Sequence, residues 1–207
     1  MQFIKSFIKN IYRHFRPIIS HGNNNIIKIN SQFKNFLITI NGNENQIIIS
    51  NNCRLNNAII SISGNNNKIF LDSNVKFDGP IKIIMSGNSI LKVGKNSGIR
   101  GVTFVLKDAD IIIGYDCMFS YGILLRNNDS HKVIDMSSNE ILNKAENIII
   151  EDHVWLCEKA TILKGVKIGN NSIIAFGAVV TKSCPPNSII AGIPAKVVKS
   201  NISWLKR

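Results

Sequence analysis

The sequence predicts an all-β protein folded as a parallel β-helix, a solenoid in which every coil has three short, flat sides. The main observation is a six-residue repeat that begins at Ile150, with a large aliphatic residue at every sixth position and a small or short one four places later. This period matches neither a helical stripe nor an alternating strand. The large residues are Ile150, Leu156, Ile162, Ile168, Ile174 and Val180, and the small ones are Val154, Ala160, Val166, Ser172, Ala178 and Cys184. Abundant Ile, which favours strands, and Asn, which favours tight corners, support the same class.

A looser form of the repeat occupies the preceding part of the chain. Similar six-residue units begin at Ile49, Leu71, Val93 and Ile113, in steps of 22, 22 and 20 residues. The excess over an 18-residue coil falls in Asn-rich or Gly-containing stretches, which are typical of bulged corners. The repeat therefore predicts one β-helical domain over residues 21–198.

The repeat is interrupted once, over residues 126–147. A loop of about twenty residues inside a compact domain is more often functional than structural. This loop contains His131, whereas His14, His21 and His153 lie outside it and are interpreted as surface or corner residues.

The charge balance favours an anionic partner. The chain has 25 Lys and Arg against 13 Asp and Glu, a formal net charge of +12. Such a surplus attracts an anionic glycan, an anionic lipid or a phosphate-bearing cofactor. Nucleic acid is not expected, because the sequence has no zinc finger, RNA-binding signature or basic recognition helix. A generally basic surface is the alternative interpretation.

The four cysteines predict reduced thiols in a cytosolic protein. Cys53, Cys117 and Cys184 occupy small inward positions of the repeat, and Cys157 lies outside that pattern. No Cys-x-x-Cys pair occurs, so neither a metal site nor a redox site is expected.

Helical periodicity is confined to residues 1–20, where Phe and Ile recur at spacings of three and four between basic residues. The interrupting charges argue against a signal peptide or a membrane span. Two roles stay open for this amphipathic helix: a cap or subunit contact, or contact of residues 1–16 with the inner face of an anionic membrane. Residues 199–207 are expected to form a C-terminal tail with a short helix.

Several motifs in order resemble the hexapeptide-repeat acyltransferases, and among them the bacterial polysaccharide O-acetyltransferases that include modifiers of sialic-acid capsules. They are Asp129-Ser-His131, Trp155 in Asp152-His-Val-Trp-Leu, Ile162-Leu-Lys-Gly-Val-Lys-Ile-Gly, Val179-Val-Thr-Lys and Ala191-Gly-Ile-Pro-Ala-Lys. The resemblance is strong over residues 111–200 and reaches only the general coil pattern over residues 27–110.

The resemblance implies a left-handed β-helix that forms a homotrimer and binds acetyl-CoA between neighbouring subunits, with no metal. It places His131 at the family's catalytic-histidine position and Trp155 at its active-site aromatic position. Packing in the trimer is the alternative role for Trp155. Some relatives have an oxyanion-binding serine where Glu158 stands, so this chain would use backbone N–H groups or another donor.

The chemistry of acetyl transfer to an alcohol is consistent with these positions. It requires a base for the hydroxyl proton, and an imidazole titrates close to neutral pH. A carboxylate on the second ring nitrogen would orient His131. Asp129 is the nearest candidate in sequence, and Asp116 and Glu151 remain alternatives.

The cofactor is expected to contact the last coils. Lys182 and Lys196 match family positions near the coenzyme A phosphates, and cations are suited to bind such groups. Gly177 and Ala178 match the strand that lies along the pantetheine, where Gly permits close approach. Solubility alone is the alternative role for the two lysines.

The function expected from the sequence is O-acetylation of a sugar hydroxyl in a bacterial surface or capsular polysaccharide. One alternative is an N-acetyltransferase that acts on an amino-sugar nucleotide. Another, of a different class, is a non-catalytic β-helix that serves as a scaffold or binds glycans.

Overall fold

The structure is a computed structural model that describes residues 18–206. The helix predicted for residues 1–20 lies outside this range except for residues 18–20, which belong to the first strand. The strands are β1 (Ile18–His21), β2 (Ile26–Ile29), β3 (Gln32–Asn41), β4 (Gln46–Ile49), β5 (Arg54–Ser63), β6 (Lys68–Leu71), β7 (Lys76–Ser86), β8 (Ile90–Val93), β9 (Gly98–Ile99), β10 (Val102–Lys107), β11 (Ile111–Ile113), β12 (Met118–Phe119), β13 (Ile123–Arg126), β14 (Ile148–Ile150), β15 (Trp155–Leu156), β16 (Thr161–Leu163), β17 (Lys167–Ile168), β18 (Ile173–Ile174), β19 (Val179–Val180), β20 (Ser188–Gly192) and β21 (Ala195–Ser200).

The strands form the three faces of a triangular solenoid. Face 1 contains β9, β12, β15, β18 and β20; face 2 contains β1, β10, β13, β16 and β19; face 3 is the seven-stranded sheet of β2, β4, β6, β8, β11, β14 and β17. The long strands β3, β5 and β7 turn the corner from face 1 to face 2, so both faces belong to one 14-stranded sheet. All pairs between coils are parallel.

The predicted register is confirmed by the strand pairs. In the looser repeat, Ile49 pairs with Leu71, Leu71 with Val93, and Val93 with Ile113. In the regular repeat, Ile150 pairs with Ile168, which is the predicted step of 18 residues. The large residues of the regular repeat are all buried, and of the small ones only Cys184 is half-buried.

A ladder of asparagines runs inside one corner of the early coils. Asn45 and Asn67 are fully buried, and Asn67 donates its backbone N–H and its Nδ2–H to Asn45 Oδ1 at 2.9 and 3.0 Å. Asn45 donates to Asn25 Oδ1 in the same way, at 3.0 and 3.1 Å. These bonds satisfy buried backbone donors at corners where strand pairing stops.

The interruption of the repeat is an insertion of residues 127–147, between β13 on face 2 and β14 on face 3. Its outer part is a small hairpin, in which Ile134 and Ile141 form an antiparallel bridge and Leu142 N–H donates to Val133 O at 2.8 Å. The insertion therefore projects from the corner that lies opposite face 1.

The short C-terminal helix predicted from the sequence is wrong. Residues 195–200 form β21, which pairs antiparallel with β20, and residues 201–206 continue without a helix. Asn201 adopts a φ of 59°, which a helix does not tolerate, and the tail then buries Trp204 against the solenoid. Among residues 18–206, no helix is long and apolar enough to cross a membrane.

Candidate functional site

His131 lies in a cavity of about 380 Å³ beside the insertion. The cavity is lined by both ends of the insertion and by Lys107 and Asp108 from the preceding coil. His131 is exposed, and among the described residues no hydrogen bond engages its imidazole. The ring is therefore accessible to a ligand in the cavity.

The backbone around His131 is fixed by a short hydrogen-bond network. Asn143 Nδ2 donates to His131 O at 2.8 Å and to Asp129 Oδ2 at 2.9 Å. The same Asp129 oxygen accepts a hydrogen bond from Lys164 Nζ at 2.6 Å, which ties the insertion to the next coil. The Lys164 and Asn143 hydrogen bonds lower the pKa of Asp129 below its ordinary value.

The structure thus brings Asp129 and His131 to one cavity but pairs the carboxylate with Lys164 and Asn143, not with the imidazole. Asn143 and Lys164 were not anticipated, because a side chain's reach across coils leaves no local signal in the sequence. Lys164 directly follows β16, and only the fold shows that this position adjoins the insertion.

The two alternative carboxylates are also engaged elsewhere. Glu151 forms an ion pair with Lys167 at 2.7 Å and accepts from Asn170 N–H at 3.0 Å. Asp116 Oδ2 contacts His153 Nδ1 at 2.7 Å. In the described part of the chain, the histidine paired with a carboxylate is therefore His153 and not His131.

His153 is a corner residue, as expected, with a φ of 54°, but the C-terminal tail covers it. Its Nε2 lies 2.8 Å from Trp204 O. With an oxygen acceptor at each ring nitrogen, both contacts are hydrogen bonds only when the imidazole carries two protons. In this arrangement His153 has no free nitrogen with which to accept a proton from a substrate.

Trp155 lies on face 1, where it pairs with Met118 on one side and Ile173 on the other. Trp155 stands between the inward-facing Val154 and Leu156 of the repeat, so its side chain points outward, and it is half-buried. The insertion with His131 leaves the corner opposite this face. One chain alone therefore keeps Trp155 away from the cavity of His131.

Gly177 and Ala178 form the corner between β18 and β19. Their backbone N–H groups donate within the solenoid, to Glu158 O at 3.0 Å and to Ala175 O at 3.2 Å. Gly177 has a φ of 66°, and an added Cβ would meet no atom within 4 Å. The corner is open to a ligand that approaches the glycine, while the side chain of Ala178 is buried.

The two predicted phosphate-binding lysines are both exposed at the C-terminal end of the solenoid. Lys182 follows β19, and Lys196 lies in β21 opposite Ala191. Phe176, the residue before Gly177, is 64% exposed, and its ring centroid lies 5.3 Å from Lys159 Nζ. Exposed cations, an exposed aromatic ring and an open glycine are suited to an elongated anionic ligand.

The cysteines are all unpaired in the described residues. Cys53 and Cys117 are buried, and burial raises the pKa of the Cys117 thiol to about 12. Within residues 18–206, no group of three or more His, Cys, Asp or Glu side chains could hold a metal ion.

Comparisons with known proteins agree with this architecture. The family model described as bacterial transferase hexapeptide (six repeats) matches residues 147–182. The solved polysialic acid O-acetyltransferase OatWY is 34% identical, with a TM-score of 0.88 over 92% of both chains. The solved polySia-specific acetyltransferase NeuO is 31% identical, with a TM-score of 0.87 over 92% of this chain and 88% of NeuO.

A curated polysialic acid O-acetyltransferase of Escherichia coli O1:K1 / APEC is 34% identical over 115 residues, which are 55% of this chain and 38% of that protein. The chain thus matches less than half the length of the first curated relatives.

The stacked coils with a six-residue repeat and one inserted loop place the chain in the class of β-helical hexapeptide-repeat proteins. The similarity to two solved acetyltransferases along almost the whole solenoid identifies the family more specifically than the repeat does. The chain belongs to the hexapeptide-repeat acyltransferase family, and its fold is the left-handed parallel β-helix of that family.

Proposed function

We propose that the protein is an acetyl-CoA-dependent O-acetyltransferase whose acceptor is a hydroxyl group of a sialic-acid-containing capsular polysaccharide. The observation that carries this proposal is the similarity, over 92% of the chain, to two acetyltransferases that act on polysialic acid. The formal net charge of +12 supports an anionic acceptor, because a positive field raises the local concentration of a polyanion.

His131 is the general base in this proposal. Its imidazole has no protein partner among the described residues and borders the cavity, so a nitrogen is free to accept the proton of an acceptor hydroxyl. Asp129 holds the loop rather than the ring, because its carboxylate connects Lys164 of the adjacent coil to Asn143, which in turn binds the His131 carbonyl.

The residues at the C-terminal end of the solenoid fit acetyl-CoA. Lys182 and Lys196 would bind its phosphates, and the open corner at Gly177 and Ala178 would admit the pantetheine arm. When bound, acetyl-CoA supplies an acetyl group activated as a thioester. The side chains of this chain bind it, orient the acceptor and take up the hydroxyl proton.

The active site forms between subunits of a homotrimer in this proposal. His131 and Trp155 lie on opposite sides of one solenoid, so they can meet only across two chains. The inserted hairpin next to His131 exposes apolar side chains that the rest of the described chain leaves uncovered, among them Val133, Met136 and Leu142. A second copy, with Trp155 on its face 1, would cover them.

Release of free thiol from acetyl-CoA tests the function. Wild type is compared with His131→Ala and with the control His21→Ala, since His21 is also exposed but lies in β1 at the far end of the solenoid. The acceptors are polysialic acid, an uncharged glycan and an amino-sugar nucleotide.

We expect wild type to turn over polysialic acid. His131→Ala should lose at least about 100-fold in kcat, whereas His21→Ala should keep the wild-type kcat. Equal turnover by His131→Ala would contradict the role of this base. Turnover with the amino-sugar nucleotide alone would indicate an N-acetyltransferase, and no turnover with any acceptor would favour a scaffold.

We also propose that the reaction takes place on the cytoplasmic side, with residues 1–16 at the membrane. This proposal is independent of the assay above.

A further inference from the structure

The C-terminal tail returns to the solenoid at the position of Trp155. Trp204 is only 6% exposed, and its ring centroid lies 5.9 Å from that of Trp155 with 48° between the two planes. These are the only two tryptophans in the chain. An aromatic pair at this separation and angle packs favourably, so Trp204 limits the rotation of the Trp155 ring.

Trp204 is itself held by three contacts with His153. Its indole Nε1–H donates to His153 O at 2.8 Å, its ring stacks on the His153 imidazole at 4.1 Å and 8°, and its own carbonyl contacts His153 Nε2 at 2.8 Å. His153 is in turn held by Asp116 at 2.7 Å.

The tail is also attached before and after Trp204. Ile202 N–H donates to Asn187 O at 2.9 Å, and Lys206 Nζ bonds Asp116 Oδ1 and Asn96 O. These contacts hold Trp204 beside the outward-pointing ring of Trp155. Met118 and Ile173 flank Trp155 within face 1, and Trp204 packs on it from the tail.

We propose that Trp204 is a positioning residue, through which the C-terminal tail holds Trp155 in the orientation that acetyl transfer requires. This inference rests on the proposed function, in which Trp155 belongs to the acetyl-transfer site. A displacement of a site residue by about 1 Å can lower a rate by about 100-fold, so a freely rotating Trp155 would be costly.

Three tail variants test the proposal: Trp204→Ala, Trp204→Phe and the control Leu205→Ala. Leu205 is the residue after Trp204 and is 91% exposed, so its removal changes the tail without changing the contact. The measurements are kcat and KM for acetyl-CoA, and the circular dichroism of the two coupled indoles in the absence of substrate.

We expect Trp204→Ala to lose the indole couplet and at least about tenfold in kcat/KM, Trp204→Phe to recover most of the activity without the couplet, and Leu205→Ala to match wild type. Trp155→Phe should abolish the same couplet, which assigns it to this pair. If Trp204→Ala does not fold, Trp204→Leu, which keeps the burial but not the stacked ring, takes its place.

Wild-type kinetics in a folded Trp204→Ala or Trp204→Leu variant would overturn the proposal while leaving the proposed function intact. The absence of acetyl transfer by wild type itself would overturn the proposed function and, with it, the role of Trp204 in catalysis.

Discussion

At the scale of single residues, the chain uses charged side chains to fasten irregular segments onto a regular solenoid. Lys164 holds the insertion through Asp129, and Lys206 holds the tail through Asp116, which also contacts His153 of the next coil. Each of these contacts joins residues that are at least 35 positions apart in the sequence. The segments that carry the proposed function therefore depend on partners that only the coil geometry brings near.

The pH dependence of stability should reveal the Asp116 anchor. Desolvation opposes ionisation of this carboxyl, but the hydrogen bonds of Lys206 and His153 outweigh it, so the pKa of Asp116 lies below its ordinary value. Because the folded pKa is lowered, the stabilisation is present above the unfolded pKa of about 3.9 and is lost as the pH falls through the folded pKa.

We expect Asp116→Asn to lower the free energy of unfolding by roughly 1 kcal/mol at pH 7, and the difference from wild type to vanish on acidification. Chemical denaturation at several pH values measures this difference. The control is Glu140→Gln, an exposed carboxyl on the insertion. A difference that stays constant down to pH 3 would show that the Asp116 charge is not responsible.

At the scale of elements, the coils stack so closely that several corners exclude side chains. A Cβ on Gly94 would lie 2.5 Å from the backbone carbon of Gly114 in the next coil. A Cβ on Gly98, only four residues later, would meet no atom within 4 Å. Because parallel coils are spaced by roughly 4.8 Å, the backbone at Gly114 cannot move away from a methyl group at Gly94 without separating the coils.

We therefore expect Gly94→Ala to destabilise the protein by about 1–3 kcal/mol, because the coils must separate to admit a methyl group. Gly98→Ala, the matched control, should unfold at the wild-type denaturant concentration or slightly above it. Equal midpoints for the two variants would refute this account of coil stacking.

The sequence reveals less about the insertion than about the coils. Its interruption of the repeat is visible in the sequence, and in the structure the insertion comprises residues 127–147. Its hairpin and its attachment through Asn143 are not visible there, because they depend on the bridge between Ile134 and Ile141 and on the position of the next coil.

At the scale of the whole molecule, the separation of His131 from Trp155 leads to a test of subunit sharing. Two variants, His131→Ala and Trp155→Ala, should each be inactive. In a trimer reassembled from equal amounts of both, about one quarter of the sites would join an intact His131 of one chain to an intact Trp155 of its neighbour.

We expect co-expression of the two variants to restore activity to about one quarter of the wild-type level per site. The control is reassembly of His131→Ala with the double variant His131→Ala/Trp155→Ala. These mixed trimers contain no His131 and should stay inactive. The lack of recovery in trimers of confirmed mixed composition would place the complete site within a single chain.

The sequence by itself determined the solenoid, its register and the interruption. A coil of stacked flat sides accepts large residues only at fixed inward positions, so the positions of Ile150, Leu156 and Ile162 were sufficient to predict which side chains are buried. The outward direction of Trp155 followed from the same repeat.

The tertiary structure decided everything that depends on contacts between coils. It replaced the predicted C-terminal helix with strand β21 and a docked tail, paired Asp116 with His153, and turned the carboxylate of Asp129 towards Lys164. The physical reason is that a local repeat encodes which residues face inward, whereas outward side chains find partners in coils that lie a full turn or more away along the chain.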